Sequence, residues 1–128
     1  MSYYEYKNFR EACCSHRDSI ILINPVPKTA YRDFNLKNKK EVLDFICNDG
    51  LEDRVFINTK EWEKNPNPKE GIMVDAYKFR TIHRLGYIAF MYNEHTQKWI
   101  IKSLHLSEDR NPIMYIALQK AGLFDLEE

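Results

Sequence analysis

Glycine, cysteine and net charge are all scarce in this chain, and each scarcity removes a class of function. Four glycines in 128 residues, at 50, 71, 86 and 122, form no Gly-rich loop whose backbone N–H groups would cradle a phosphate. Three cysteines, Cys13, Cys14 and Cys47, are odd in number and two are adjacent, so no disulfide framework is expected. There is no CxxC or HxxxH pattern, and the four histidines are scattered at 16, 83, 95 and 105; neither a metal site nor a cofactor is expected. Lys plus Arg equal Asp plus Glu at 19 each, which leaves no overall field to attract nucleic acid or an anionic membrane. The longest apolar run, Leu85 to Tyr92 with Gly86 counted, is far too short to cross a bilayer. The opening "MSYYEYKNFREACC" has early charges and no apolar run before a cleavage site. It does not read as a signal peptide, and the cytoplasm is the expected location.

What is present suits one folded domain over residues 1–128, with 44% hydrophobic and 30% charged residues. Ser2 and Glu5 have capping-box spacing, and Tyr6, Phe9, Cys13 and His16 follow at helical intervals, so residues 3–16 are expected to be an amphipathic helix. "SIILINPV" (19–26) reads as a buried strand stopped by Pro25 and Pro27, and "TAYRDFNL" (29–36) as a second strand or an extended connection. Asn38 caps a second helix, with Glu41 three residues on, an apolar face of Val42, Phe45 and Ile46, and Gly50 as its stop. Strands are expected over 54–58 and 72–82, with a Pro-containing loop at 59–71 between them. Residues 86–92 and 98–106 form a hairpin across "NEHTQ", and Asn111 and Pro112 open a last helix that Gly122 ends. The expected class is α+β: a mainly antiparallel sheet of four to six strands with N- and C-terminal helices packed on it.

The hairpin carries the residues of greatest chemical interest. On strand 98–106, regular alternation puts Trp99, Ile101, Ser103 and His105 on one face. Hairpin geometry brings Arg84, just before the first strand, close to His105, at the end of the second. Lys78, Arg80 and Arg84 place three permanent positive charges in seven residues, a local patch whose forked donors suit phosphate oxygens. A neighbouring His, titrating near neutrality, is suited to protonate a leaving alkoxide.

"HRLGY…WIIKSLH", residues 83–105, resembles the C-terminal half of RelE-type bacterial toxins, above all the YoeB branch, with its His-Arg-Leu-Val-Tyr, hairpin and closing Arg-Tyr-His. The resemblance implies a ribosome-dependent mRNA endonuclease of a toxin–antitoxin pair. It puts Arg84 on the phosphate of the transition state and makes His105 the general acid, with a Glu sharing the acid–base work. Glu61, Glu63 and Glu70 precede Arg84, and Glu70 is taken as the carboxylate candidate. The chain departs from the family where Leu106 stands in place of Tyr, in the longer hairpin, and in the helix over 112–121. The family opens with a strand and two helices, whereas this chain reads as a helix and then a strand.

A second class of function competes. Cys13 and His16 lie one turn apart, but near the C-terminal end of their helix, where the dipole disfavours a thiolate, so a cysteine hydrolase is not expected. Eight tyrosines in a small chain exceed what one core holds, and exposed Tyr and Trp supply contact area at interfaces. Tyr3, Tyr4 and Trp62, together with Lys78 and Arg80, are therefore candidate binding residues. On this reading the chain is a non-catalytic interaction domain of the inhibitor or adaptor kind. Its expected partner is another protein or a second copy of itself, RNA being the partner under the toxin reading; no membrane is involved.

Overall fold

The computed structural model of the chain describes residues 2–66, 71–81 and 84–107. The helix read over 112–121 and the candidate carboxylate Glu70 lie outside them. Helix α1 spans Tyr6–Ser15, with Glu5 as an N-cap whose side chain makes no capping bond. The expected capping box at Ser2 does not form, and the cause lies across the molecule. The Tyr3 and Tyr4 N–H groups donate to the two carboxylate oxygens of Asp75 at 2.9 and 2.8 Å, which draws this segment onto the sheet rather than into a first helical turn.

Asp75 is fully buried and also accepts the Thr59 hydroxyl at 2.5 Å. A buried carboxylate persists where donors satisfy its oxygens. Asp75→Ala leaves two backbone N–H groups and a hydroxyl without their acceptor, and an expected loss of about 2–3 kcal/mol follows. Urea denaturation measures it, and Asp75→Asn, which keeps one acceptor oxygen, should lose less.

Strand β1 is only Ile20–Leu22, and it is an edge strand, not a buried one: Ile21 is 40% exposed. Residues 29–36 correct the reading further, since most of them belong to helix α2, Val26–Phe34. Pro27 sits in its first turn, where a missing N–H costs nothing. Val26, Thr29 and Ala30 share the buried face at i, i+3 and i+4, and Asn35 closes the helix in the left-handed conformation, φ 57°. Thr29 ties it down by donating its hydroxyl to the Leu104 carbonyl at 2.7 Å. Helix α3, Lys39–Cys47, has the expected cap: the Asn38 side chain accepts the Glu41 N–H at 2.9 Å, and Glu41 in return accepts the Lys37 N–H at 2.9 Å.

Four strands then run as an antiparallel meander: β2 Glu52–Glu61, β3 Met73–Thr81, β4 Arg84–Asn93 and β5 Lys98–Leu106. β1 joins parallel to β5, giving a five-stranded mixed sheet in the order β1-β5-β4-β3-β2. The fold is α+β, as the sequence pattern predicts. Among the described residues, α1, α2 and α3 pack on one face. Phe9, Ala12 and Cys13 of α1, Val26 and Ala30 of α2, and Val42, Leu43 and Ile46 of α3 meet Phe79, Ile88, Phe90, Ile101 and Leu104 of the sheet. Gly86 is required there, because a Cβ on it would collide with the Phe79 ring. A second buried cluster of Ile72, Val74, Ala76, Ala89, Met91 and Ile100 lies on the opposite face, which no described helix covers.

The cysteines overturn their reading. Cys14 and Cys47 form a disulfide between the ends of α1 and α3, with Cα atoms 5.1 Å apart. Such bonds persist in oxidising surroundings and are rare in the cytosol, so the cytoplasmic expectation loses the support drawn from the cysteines. Cys13 is free and buried, and burial pushes its thiol up to about 12, which keeps it protonated and inert at neutral pH.

Candidate functional site

Strand register decides which side chains meet. The β3–β4 ladder runs without a shift from Val74 opposite Met91 to Thr81 opposite Arg84. Arg84 therefore shares a face with Gly86 and Ile88, while Tyr87 points to the other side. His105 stands directly across from Tyr87 on β5. Arg84 and His105 thus fall on opposite faces of the sheet, and the expected pairing does not form. Arg84 is exposed, and its carbonyl accepts the Thr81 hydroxyl at 3.0 Å.

A β-bulge accounts for the second departure. Phe90 pairs with Ile101 and Ala89 with Ser103, so Lys102 is an extra residue. It reverses the alternation. Trp99 and Ile101 pack toward the helices, whereas Ser103 and His105 emerge on the second face.

The bulge and the register together build one cross-strand row on that second face, Lys78–Tyr87–His105. The Tyr87 and His105 rings stack, with centroids 5.1 Å apart and planes 17° from parallel. Lys78 lies two strands from His105, roughly 10 Å away along the hydrogen-bonding direction. Arg80, exposed one step further on, is held by Asp53 in a 2.6 Å ion pair and is committed to that contact.

His105 is oriented by its surroundings. Its Nδ1 lies 2.8 Å from the Leu106 carbonyl. A carbonyl only accepts, so this bond places the proton on Nδ1 and leaves Nε2 as the nitrogen that takes up or gives one. The Leu106 N–H in turn donates to Asp33 at 2.8 Å. The Arg32 guanidinium, hydrogen-bonded to Asp33 at 2.7 Å, holds that carboxyl below the usual carboxylate range against the opposing effect of burial; the Leu106 N–H adds to it. Asp33 is therefore an anion at neutral pH, with the nearby His105 a minor contributor to holding it so. Burial raises the Tyr87 phenol, which stays protonated at neutral pH.

Beside this row a cavity of about 420 Å³ opens over the small residues of the sheet. Its floor is Val74, Ala76 and Ala89, with Tyr87 at the end nearest His105. Asn58, Ser103, Trp62 and a rim of mixed charge, Lys60, Lys102 and Glu61 among it, complete the wall. Asn58, Lys60 and Lys102 carry no motif, and no periodic signal marks them; they line one cavity only because four strands, β2 to β5, are in register. Tyr87 was part of the quoted stretch, but only the register reveals it as the partner of His105.

The aromatic residues considered for docking do not form one exposed patch. Tyr3 is 62% exposed. Tyr4 is half-buried: its hydroxyl donates to the Met73 carbonyl at 2.7 Å, its ring meets Trp99 edge-on at 5.5 Å, and burial pushes its phenol up to about 12. Trp62 is half-buried against the second apolar cluster. The two faces of the sheet provide two cores, and these take up Tyr4, Tyr6, Trp62, Tyr87 and Trp99, while Tyr3 and Tyr31 stay exposed. Among the described residues, no group of three or more His, Cys, Asp or Glu is placed to hold a metal ion. No helix of the described residues is long and apolar enough to cross a membrane. No family model, curated protein or solved structure matches the chain.

Proposed function

We propose that the chain binds RNA on the second face of its sheet and cleaves a phosphodiester bond there, with His105 as the general acid. The observation that carries this reading is the Lys78–Tyr87–His105 row, an imidazole stacked on a phenol with a primary amine on the adjoining strand. A single-stranded substrate supplies what such a row recognises: phosphates for the lysines and unpaired bases for the rings. The element order supports it too. From Ile20 onward, behind the additional helix α1, the chain runs strand and two helices, the opening that the RelE-type resemblance calls for, and then an antiparallel meander with His105 next to last in β5.

In this mechanism the ribose 2′-oxygen bonds to phosphorus as the bond from phosphorus to the 5′-oxygen breaks. His105 Nε2, protonated, gives its proton to that 5′-oxygen, and the 2′-hydroxyl proton passes to solvent. Lys78 and Lys102 counter the charge that develops on the non-bridging oxygens. Arg84, on the other face, has no part. The products are a 2′,3′-cyclic phosphate and a 5′-hydroxyl. The substrate is cytoplasmic RNA, so the proposed site of action is the cytoplasm of the cell in which the protein works.

The test is cleavage of defined RNA, both free and as mRNA in a translating extract, by wild type and by His105→Gln. The Gln amide keeps a donor near the Leu106 carbonyl. A fall of roughly 100-fold or more, with the circular dichroism spectrum unchanged, is expected for loss of a general acid. Intact RNA with the wild-type protein in both settings, or equal cleavage by the variant, defeats the proposal.

A further inference from the structure

The cavity beside the Lys78–Tyr87–His105 row has a base and walls of its own. One cross-strand row, Asn58–Ala76–Ala89–Ser103, forms its base. Ala76 and Ala89 are buried and short, which gives the cavity depth, while an amide and a hydroxyl stand at the two ends of the row. Trp62 makes one wall. Its backbone N–H donates to the Ile72 carbonyl at 2.8 Å, so the indole is mounted where the chain is tied back to itself. Lys60 and Lys102 stand at the rim. The row is one pleat repeat, roughly 7 Å, from Tyr87 and His105, within reach of a single nucleotide.

We propose that this cavity is a nucleobase pocket, which takes the base of the nucleotide adjoining the scissile phosphate and so gives cleavage a base preference. The proposal rests on the RNA reading above. An aromatic heterocycle carrying a phosphate matches each wall: the ring face lies on the Trp62 indole, the ring edge meets Asn58, and the phosphate reaches the lysines. Asn offers both a donor pair and an acceptor, so it can read a base edge rather than merely tolerate it. A volume of about 420 Å³ is near the small end of ligand sites, which suits one nucleotide rather than a folded partner.

The probes are the four ribonucleoside 3′-monophosphates and inorganic phosphate, titrated into the full chain by calorimetry and by NMR. One or two of the bases are expected to bind at least tenfold more tightly than the others and than phosphate. Trp62→Ala is expected to weaken that binding by roughly 5- to 150-fold, the range for losing one stacked base, and Trp62→Phe to restore part of it. Because Trp62 also packs against the second cluster, Asn58→Ala provides an independent reading: it should level the differences among bases. Equal binding of all four, or binding no tighter than phosphate, overturns the pocket; so does a folded Asn58→Ala protein with unchanged discrimination. The two proposals fail separately. Cleavage of RNA without base-selective binding removes the pocket and leaves the ribonuclease, whereas selective nucleotide binding without cleavage leaves the pocket and removes the ribonuclease.

Discussion

Phe90→Ala is expected to destabilise the chain by roughly 3–5 kcal/mol. Phe90 is fully buried at the middle of β4, where Phe9 of α1 stacks on it with centroids 3.9 Å apart and planes 2° from parallel. Tyr77 from β3 stacks beside it at 5.8 Å, and Trp99 from β5 meets it edge-on at 6.0 Å. With Tyr4 and Tyr6 at 6.4 and 6.5 Å, five ring contacts converge on one side chain, each adding something beyond the area it buries. Truncation removes them together and leaves a void beneath α1, which the aromatic planes around it are too rigid to fill. The loss corresponds to a fall in Tm of about 10–20 °C for a chain of this size. Denaturant titration should show a lower midpoint at unchanged slope, and Phe90→Leu should recover about half. A loss below about 1 kcal/mol for Phe90→Ala would mean that Phe9 and Phe90 do not stack as described.

How much of this was legible beforehand depends on whether a feature is local or belongs to a pair. The Asn38 cap is local, since Asn and Glu three residues apart satisfy the first N–H groups of α3 wherever the helix lies, and the sequence announces it. The β4–β5 hairpin is nearly local, and its turn falls over Glu94–Gln97 as the spacing of the apolar runs implies. The segment 29–36 is local but ambiguous. Thr29, Tyr31, Asp33 and Asn35 alternate with Ala30, Arg32, Phe34 and Leu36, and the same residues also offer Val26, Thr29 and Ala30 at helical spacing. Packing on β5 through the Thr29 hydroxyl decides between the two.

The bulge at Lys102 is a property of two strands. Nothing within "KWIIKSLHL" marks it, and without it strict alternation puts His105 among Trp99 and Ile101 on the wrong face. Arg84 and His105 illustrate the same limit. Hairpin logic correctly puts them at one end of the sheet, but only register and parity reveal that the sheet lies between them. The candidate site was therefore half legible: His105 by its place at a strand end, but not Tyr87, Asn58 or Lys102, whose roles exist only across strands.

The disulfide is the purest case of a paired feature, and reducing it is expected to lower stability by about 4 kcal/mol. The estimate follows from freeing a loop closed by a sequence separation of 33, with roughly 2–4 kcal/mol the usual range. The effect acts mainly on the unfolded chain. The contacts that join α1 and the turn after it to α3 do not depend on the bond: the Arg10 guanidinium donates to the Cys47 carbonyl at 2.8 and 3.2 Å, and Arg17, just past α1, pairs with Asp44 at 2.6 Å. The reduced protein should therefore keep its native circular dichroism spectrum at room temperature and melt about 12–18 °C lower. Cys14→Ser with Cys47→Ser should match the reduced wild type and be insensitive to reductant.

Thiol counting supplies an independent check, because Cys13 is buried and protonated and should stay unreactive in the native state, before reduction and after it. A melt that reductant leaves unmoved, with two thiols reacting in the untreated native protein, would show that Cys14 and Cys47 are not bonded. The two halves of the functional reading meet here. RNA is met in a reducing cytosol, where this bond is absent at equilibrium unless it is unusually resistant to reduction. The proposed ribonuclease must therefore remain folded on its aromatic core alone at its place of action. The Phe90 contacts, not the disulfide, would then set how much stability the working protein has.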